Sequence, residues 1–187
     1  MQPQGSERLP DAVIRALASK QNGVVYRAQL LAAGLSPQQI RWRLRDGRLT
    51  ALHRGVYLVG AVPSEWAFSQ AGLFACGGGS ALGFRSATRV WSMLKYSAQA
   101  YPWVIVPPAK RIERPRVIVR RAPLTPRDVR TRHGMRVTSP PRTILDMASL
   151  LDDPYELEAL VAKRASGTWH RKPSSEIRSS ATRAGGA

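Results

Sequence analysis

A single cysteine, Cys76, occurs in 187 residues, which excludes an internal disulfide and a cysteine-based metal cluster. His53, His133 and His170 are the only histidines and lie in separate elements without ligand-like spacing, so neither a metal nor a cofactor is expected. No apolar run approaches the ~18 residues that would span a bilayer. The opening stretch, Met1 to Pro10, is polar and lacks the apolar core of a secretory signal. The expectation is a cytoplasmic protein with no membrane partner. Acidic residues are scarce as well, with 12 Asp and Glu against 29 Lys and Arg for a net charge of +17. Such an imbalance points to a polyanionic partner.

The excess charge is not a solvated tail. Residues 1–60 carry nine basic and three acidic side chains, and residues 61–150 carry 14 and four. Residues 151–187 are nearly balanced, with six and five. The charge therefore sits on the part of the chain whose apolar pattern predicts a fold.

Pro10 to Lys20 reads as a short helix with Val13, Ile14 and Leu17 on one face, ended by Asn22-Gly23. Val24-Val25-Tyr26 is β-prone, and Arg27 to Ala33 reads as a second helix closed by Gly34. A third helix is better marked. Ser36 is an N-cap, Pro37 suits the first helical position, and Gln39 completes a capping box, with the helix running to about Asp46. Arg48 to Leu52 and Val56 to Val59 then flank the turn His53-Arg54-Gly55 as a hairpin. Helix, strand, helix, turn, helix, hairpin is the order of a winged helix-turn-helix, expected over residues 8–60.

A small α+β unit is expected over residues 61–162, giving an α+β protein overall. Ser64 is positioned to cap a helix ending near Cys76, and a second helix is predicted from Ser80 to Lys95. Strands are predicted at Trp103–Val106, Arg116–Val119 and Met135–Thr138, and Ser139 with Pro140 should open a last helix. Residues 163–187 are rich in Ser, Arg and Gly without apolar periodicity, and a disordered tail is expected.

No constellation suggests an enzyme. Gly77-Gly78-Gly79-Ser80 lacks the Lys-Ser/Thr of a phosphate-binding loop, and Asp128 and Asp146 form no evident acid pair. The third helix carries clearer chemistry. At about 100° per residue, Ile40 and Leu44 define its buried side, and Gln38, Arg41, Trp42 and Arg45 lie opposite, flanked by Gln39 and Arg43. Arginine can donate two hydrogen bonds to guanine and glutamine can pair with adenine, as reading the major groove of double-stranded DNA requires. Ser36 belongs to the same candidate surface. Trp42 fits equally well against a base or packed under the hairpin. Arg48, His53 and Arg54 on the hairpin would contact phosphates. A second basic surface is expected from Lys110, Arg111, Arg114, Arg116, Arg120 and Arg121, for phosphates or an acidic protein, with a solvated loop as the alternative.

Three segments carry a resemblance: Gly23-Val24-Val25-Tyr26-Arg27-Ala28-Gln29-Leu30, Gly34-Leu35-Ser36, and Leu52-His53-Arg54-Gly55-Val56-Tyr57. With Val137-Thr138-Ser139-Pro140-Pro141-Arg142-Thr143-Ile144-Leu145-Asp146, they resemble the AbiEi-type antitoxin and regulator family over most of residues 10–150. The resemblance implies a sequence-specific transcriptional regulator, the antitoxin of a type IV toxin–antitoxin pair, repressing its own operon and binding a cognate toxin. It places the DNA-contacting helix at Ser36 to Asp46 and the wing at Arg48 to Val59. Tyr26 stands where relatives commonly carry Thr, a better cap. Longer relatives continue into a domain similar to very-short-patch-repair endonucleases. Beyond Val161 this chain has Glu176 as its only carboxylate side chain, too few for a metal-dependent nuclease. The alternative is a truncated member that has lost its endonuclease domain. A homodimer would suit the short reading helix, although no apolar interface is evident in the sequence.

Overall fold

The computed structural model describes residues 8–93 and 101–151, with positions 155, 157, 158, 161 and 162 beyond them. The expected end of a helix at Lys95 and the expected disordered tail lie outside the described residues. Within them the fold is α+β, with two sheets and one helix wedged between them.

The first sheet is antiparallel in the order β1-β3-β2, with β1 at Val24–Tyr26, β2 at Leu49–His53 and β3 at Val56–Val59. Three helices precede or interrupt it: α1 (Arg8–Lys20), α2 (Arg27–Ala32) and α3 (Pro37–Arg45). Strand alternation gives the sheet two apolar faces. Val25, Leu49 and Tyr57 pack with Ile14, Leu30, Leu35 and Ile40 of the helical layer. Val24, Val56 and Leu58 face the other way, onto Ala67, Ala71 and Ala75. Val13 does not join the α1 core face; it is exposed, and Ile14 and Ala18 take that role.

Those alanines lie four residues apart on α4 (Ala67–Cys76), one small stripe that lets a helix approach a sheet closely. The opposite side of α4 meets the second sheet. A Cβ at Gly72 would lie 2.8 Å from Cγ of Pro102, the residue before β5, so a side chain there would push the strand entry away. Ser64 does not cap α4. Its hydroxyl donates to the Asn22 carbonyl at 2.7 Å, and the helix begins at Ala67.

The second sheet has the order β6-β5-β4-β8-β7, built from β4 (Ala81–Leu82), β5 (Trp103–Val106), β6 (Ile118–Arg121), β7 (Val129–Arg132) and β8 (Met135–Thr138). Its β4–β8 and β5–β6 pairs are parallel, and β4–β5 and β7–β8 are antiparallel. The predicted helix over Ser80–Lys95 is instead a two-residue strand followed by α5 (Phe84–Val90). Gly83 is extended and Phe84 has φ of 50°, which breaks any helix at that point. The predicted strand at Arg116–Val119 forms two residues later, after Arg116 turns through φ of 59°.

Helix α6 (Pro140–Ala148) starts after Ser139 with proline in its first turn, although the serine hydroxyl makes no cap bond. Its polar residues hold the unit together. Trp91 Nε1 donates to the Thr138 carbonyl at 2.8 Å, and the Thr138 and Thr143 hydroxyls bond each other at 2.8 Å, all buried. Arg142 Nε donates to Asp146 at 2.7 Å, and its Nη1 lies 3.6 Å from Asp128. The two carboxylates thus converge on one guanidinium. Burial pushes the Asp146 carboxyl above its ordinary value despite that partner. Among the described residues no helix is long and apolar enough to cross a membrane.

Candidate nucleic-acid interface

Helix α3 is fixed at its start by the capping box that its sequence spells. Ser36 Oγ accepts from the Gln39 N–H at 3.1 Å, and Gln39 Oε1 accepts from the Ser36 N–H at 2.8 Å. Both side chains are therefore engaged within the helix start, a contribution of about 1 kcal/mol to its stability. Ile40 is fully buried, while Gln38, Arg41, Trp42 and Arg45 are exposed. Ser36, Gln38, Gln39, Trp42 and Arg45 line one shallow open depression on the surface.

Arg43 is the exception among the α3 arginines. It is 3% exposed, and Nη2 donates to Asp11 Oδ1 of α1 at 2.9 Å. Its position on the helix is about 60° from Ile40, toward the core rather than away from it. The guanidinium joins α3 to α1 and is not available to a partner. Trp42, 39% exposed, is covered on one side by the Arg48 guanidinium at 4.7 Å from the ring centroid. Arg48 Nε in turn pairs with Asp46 Oδ2 at 3.1 Å. The tryptophan thus packs against the start of β2 and keeps an open face.

The hairpin turn is level with the start of α2, because β3 pairs with β1 along its whole length, Tyr26 opposite Val56. The Arg27 N–H donates to the Gly55 carbonyl at 2.8 Å. Arg54 and Arg27 are both exposed there, and Arg27 was not among the residues singled out from the sequence. A tyrosine cap gives no outward hint of it: Gln29 Oε1 accepts from the Tyr26 N–H at 3.1 Å, where a threonine would be the familiar signal. His53 is half-buried, and burial followed by the charges of Arg114 and Arg116 lowers its pKa. Arg116 lines one cavity with His53 and Leu52, beside the hairpin turn. The structure brings part of the second basic stretch to the wing.

That stretch is not uniformly free. Lys110 Nζ donates to the Gly78 carbonyl at 2.8 Å and Arg114 Nε to the Ala75 carbonyl at 2.8 Å, so two cations meet carbonyls at the end of α4. Arg121 Nε donates to the Lys110 carbonyl, and the Arg120 guanidinium lies 5.4 Å from the Trp103 ring centroid. Arg111 and Arg116 are exposed at the loop surface. The exposed Arg130, on edge strand β7, was missed because that charge-rich strand has no apolar alternation.

A helical layer, a capped α3 and a β-hairpin define a winged helix-turn-helix regulator within an α+β chain. Residues 13–60 match a family described as a transcriptional regulator, AbiEi antitoxin, and residues 81–184 match the AbiEi antitoxin C-terminal domain. The chain belongs to the AbiEi antitoxin family. Its fold is similar to the crystal structure of RV2827C protein from Mycobacterium tuberculosis, with a TM-score of 0.51 and 20% identity over 83% of this chain and 71% of that one. No curated protein matches the chain.

Proposed function

We propose that the protein is a sequence-specific DNA-binding repressor that acts as the antitoxin of a toxin–antitoxin pair and controls its own operon. The observation that carries this reading is the outward face of α3, where Gln38, Arg41, Trp42 and Arg45 are exposed on a firmly capped helix. Residues 8–60 read the major groove, with Arg41 and Arg45 supplying bidentate donors to guanine and Gln38 to adenine. Arg54 at the hairpin turn, with Arg116 near it and Arg111 exposed on the same loop as Arg116, holds phosphates and supplies salt-dependent affinity. Residues 61–150, with 14 basic and four acidic side chains, add to that grip. An acidic cognate toxin is the protein partner this charge would suit.

Selection of bound duplexes from a random library by the full chain tests the reading. Enrichment of one motif is the expected result, and a palindromic motif would report a dimer. Recovery of an unenriched library would overturn sequence-specific binding. The alternative of a remnant that only targets DNA is favoured by no particular observation.

A further inference from the structure

Between α4 and the β7–β8 turn lies an open groove of about 520 Å³, a size typical of small-molecule sites. It is distant in character from the basic surface just described. One wall is apolar and aromatic: Leu73, Phe74 and Tyr26, whose ring meets Phe74 edge-on at 5.1 Å between centroids. The other wall is made of donors. Gly78, Gly79 and Ser80 line the groove, and the N–H groups of Gly78 and Gly79 have no backbone partner among the described residues. Successive unengaged N–H groups in a turn form an anion-binding concavity. Arg136 adds a guanidinium. Only its Nε is engaged, donating to the Ser80 carbonyl at 3.1 Å, which leaves the terminal nitrogens for a ligand.

Gln70 adds an amide to the groove. It is 3% exposed and lines the groove. Its Oε1 accepts from Asn22 Nδ2 at 3.3 Å, and Nε2 has no partner in the protein and is not sealed from solvent. A buried amide donor left unpaired costs free energy unless something outside the protein accepts from it. An acceptor suits the amide and a negative charge suits the glycine loop, with a flat apolar body between them against Tyr26 and Phe74.

We propose that this groove binds a small organic anion with a flat apolar body, of the class of a nucleoside monophosphate or an aromatic carboxylate. The phosphate or carboxylate sits on the Gly78 and Gly79 N–H groups and Arg136, and the ring stacks along Leu73, Phe74 and Tyr26. The inference is independent of the proposed DNA contacts, none of which lines the groove. Tyr26 ends β1 and Gly134 lies in the β7–β8 turn, so a bound ligand touches both sheets.

The test uses the full chain labelled with ¹⁵N-glycine, whose 15 glycines leave few signals to resolve. Adenosine monophosphate, 1-naphthoate, adenosine and inorganic phosphate are titrated at matched ionic strength. At least one of the first two should move the Gly78 and Gly79 amides and saturate at about tenfold lower concentration than phosphate or adenosine. Which of them binds more tightly distinguishes a phosphate from a carboxylate ligand. Gly78→Asp, at a position with open space and no unusual φ, and Arg136→Gln should each weaken that binding about fivefold or more. The proposal is overturned if neither anion moves these amides by about 10 mM. Equal saturation by phosphate would mean an adventitious ion only and would overturn it too, as would equal shifts at Gly55 and Gly60 on the hairpin.

Discussion

Arg43 of α3 and Asp11 of α1 form an ion pair with 2.9 Å between Nη2 and Oδ1, the arginine buried and the carboxylate 30% exposed. It sets the angle at which the outer face of α3 is presented. Removing Asp11 leaves a buried guanidinium without its counter-charge. A fully buried partner lost in this way costs ~3–5 kcal/mol, and the partial exposure of Asp11 lowers the expectation for Asp11→Ala to about 2 kcal/mol. Urea unfolding measures it; an unchanged midpoint would show that the pair does not hold the helices.

Arg41→Ala and Arg45→Ala should each relax base preference at one position of the bound site, by about 1–3 kcal/mol of discrimination. Arg54→Ala and Arg111→Ala should weaken binding to all duplexes alike and lower the salt slope by about one. Binding isotherms on the selected motif and single-base variants, at several salt concentrations, separate the two classes. Loss of preference in the Arg54 variant with none in the Arg41 variant would reverse the assignment.

Both described histidines should make the protein acid-sensitive. Burial, then neighbouring arginines, lower the pKa of His53 and likewise of His133 from the ordinary 6.5. The unfolded chain then takes up protons first, so this stability is complete above pH 6.5 and is lost as pH falls through the lower folded values. Thermal melts between about pH 7 and 5 should decline less steeply for His53→Gln/His133→Gln than for the native chain. Parallel declines would refute the contribution.

Arg142 is expected to be structural. Arg142→Ala leaves Asp146 buried without its ion-pair partner and should destabilise the protein by about 3 kcal/mol, with Asp146→Leu added in the same chain recovering part of it. Chemical denaturation of the single and double variants tests this, and additive losses would contradict it.

The N-terminal elements were legible because their determinants are local. Ser36, Pro37 and Gln39 specify the start of α3 within four residues, and Gly55 specifies the hairpin turn. Arg43 lies only about 60° from Ile40, yet an arginine reads as exposed because the Asp11 that pairs with it is 32 residues away. The run from Ser80 to Gly83 was misread for a similar reason: β4 exists only because β5 and β8 flank it, and a two-residue strand leaves no period. Within the family-like segment, the side chains of Thr138, Arg142, Thr143 and Asp146 all turn inward, so a distinctive string of polar residues proves to be an internal brace.

The three-stranded sheet, clad by helices on one face and by the alanines of α4 on the other, has a practical consequence for dissection. Cutting the chain after Gly60 would uncover Val24, Val56 and Leu58 at once, a contiguous apolar patch on a small fragment. Residues 8–60 are therefore not an excisable cassette, and any fragment meant to stand by itself has to carry α4 along as its lid.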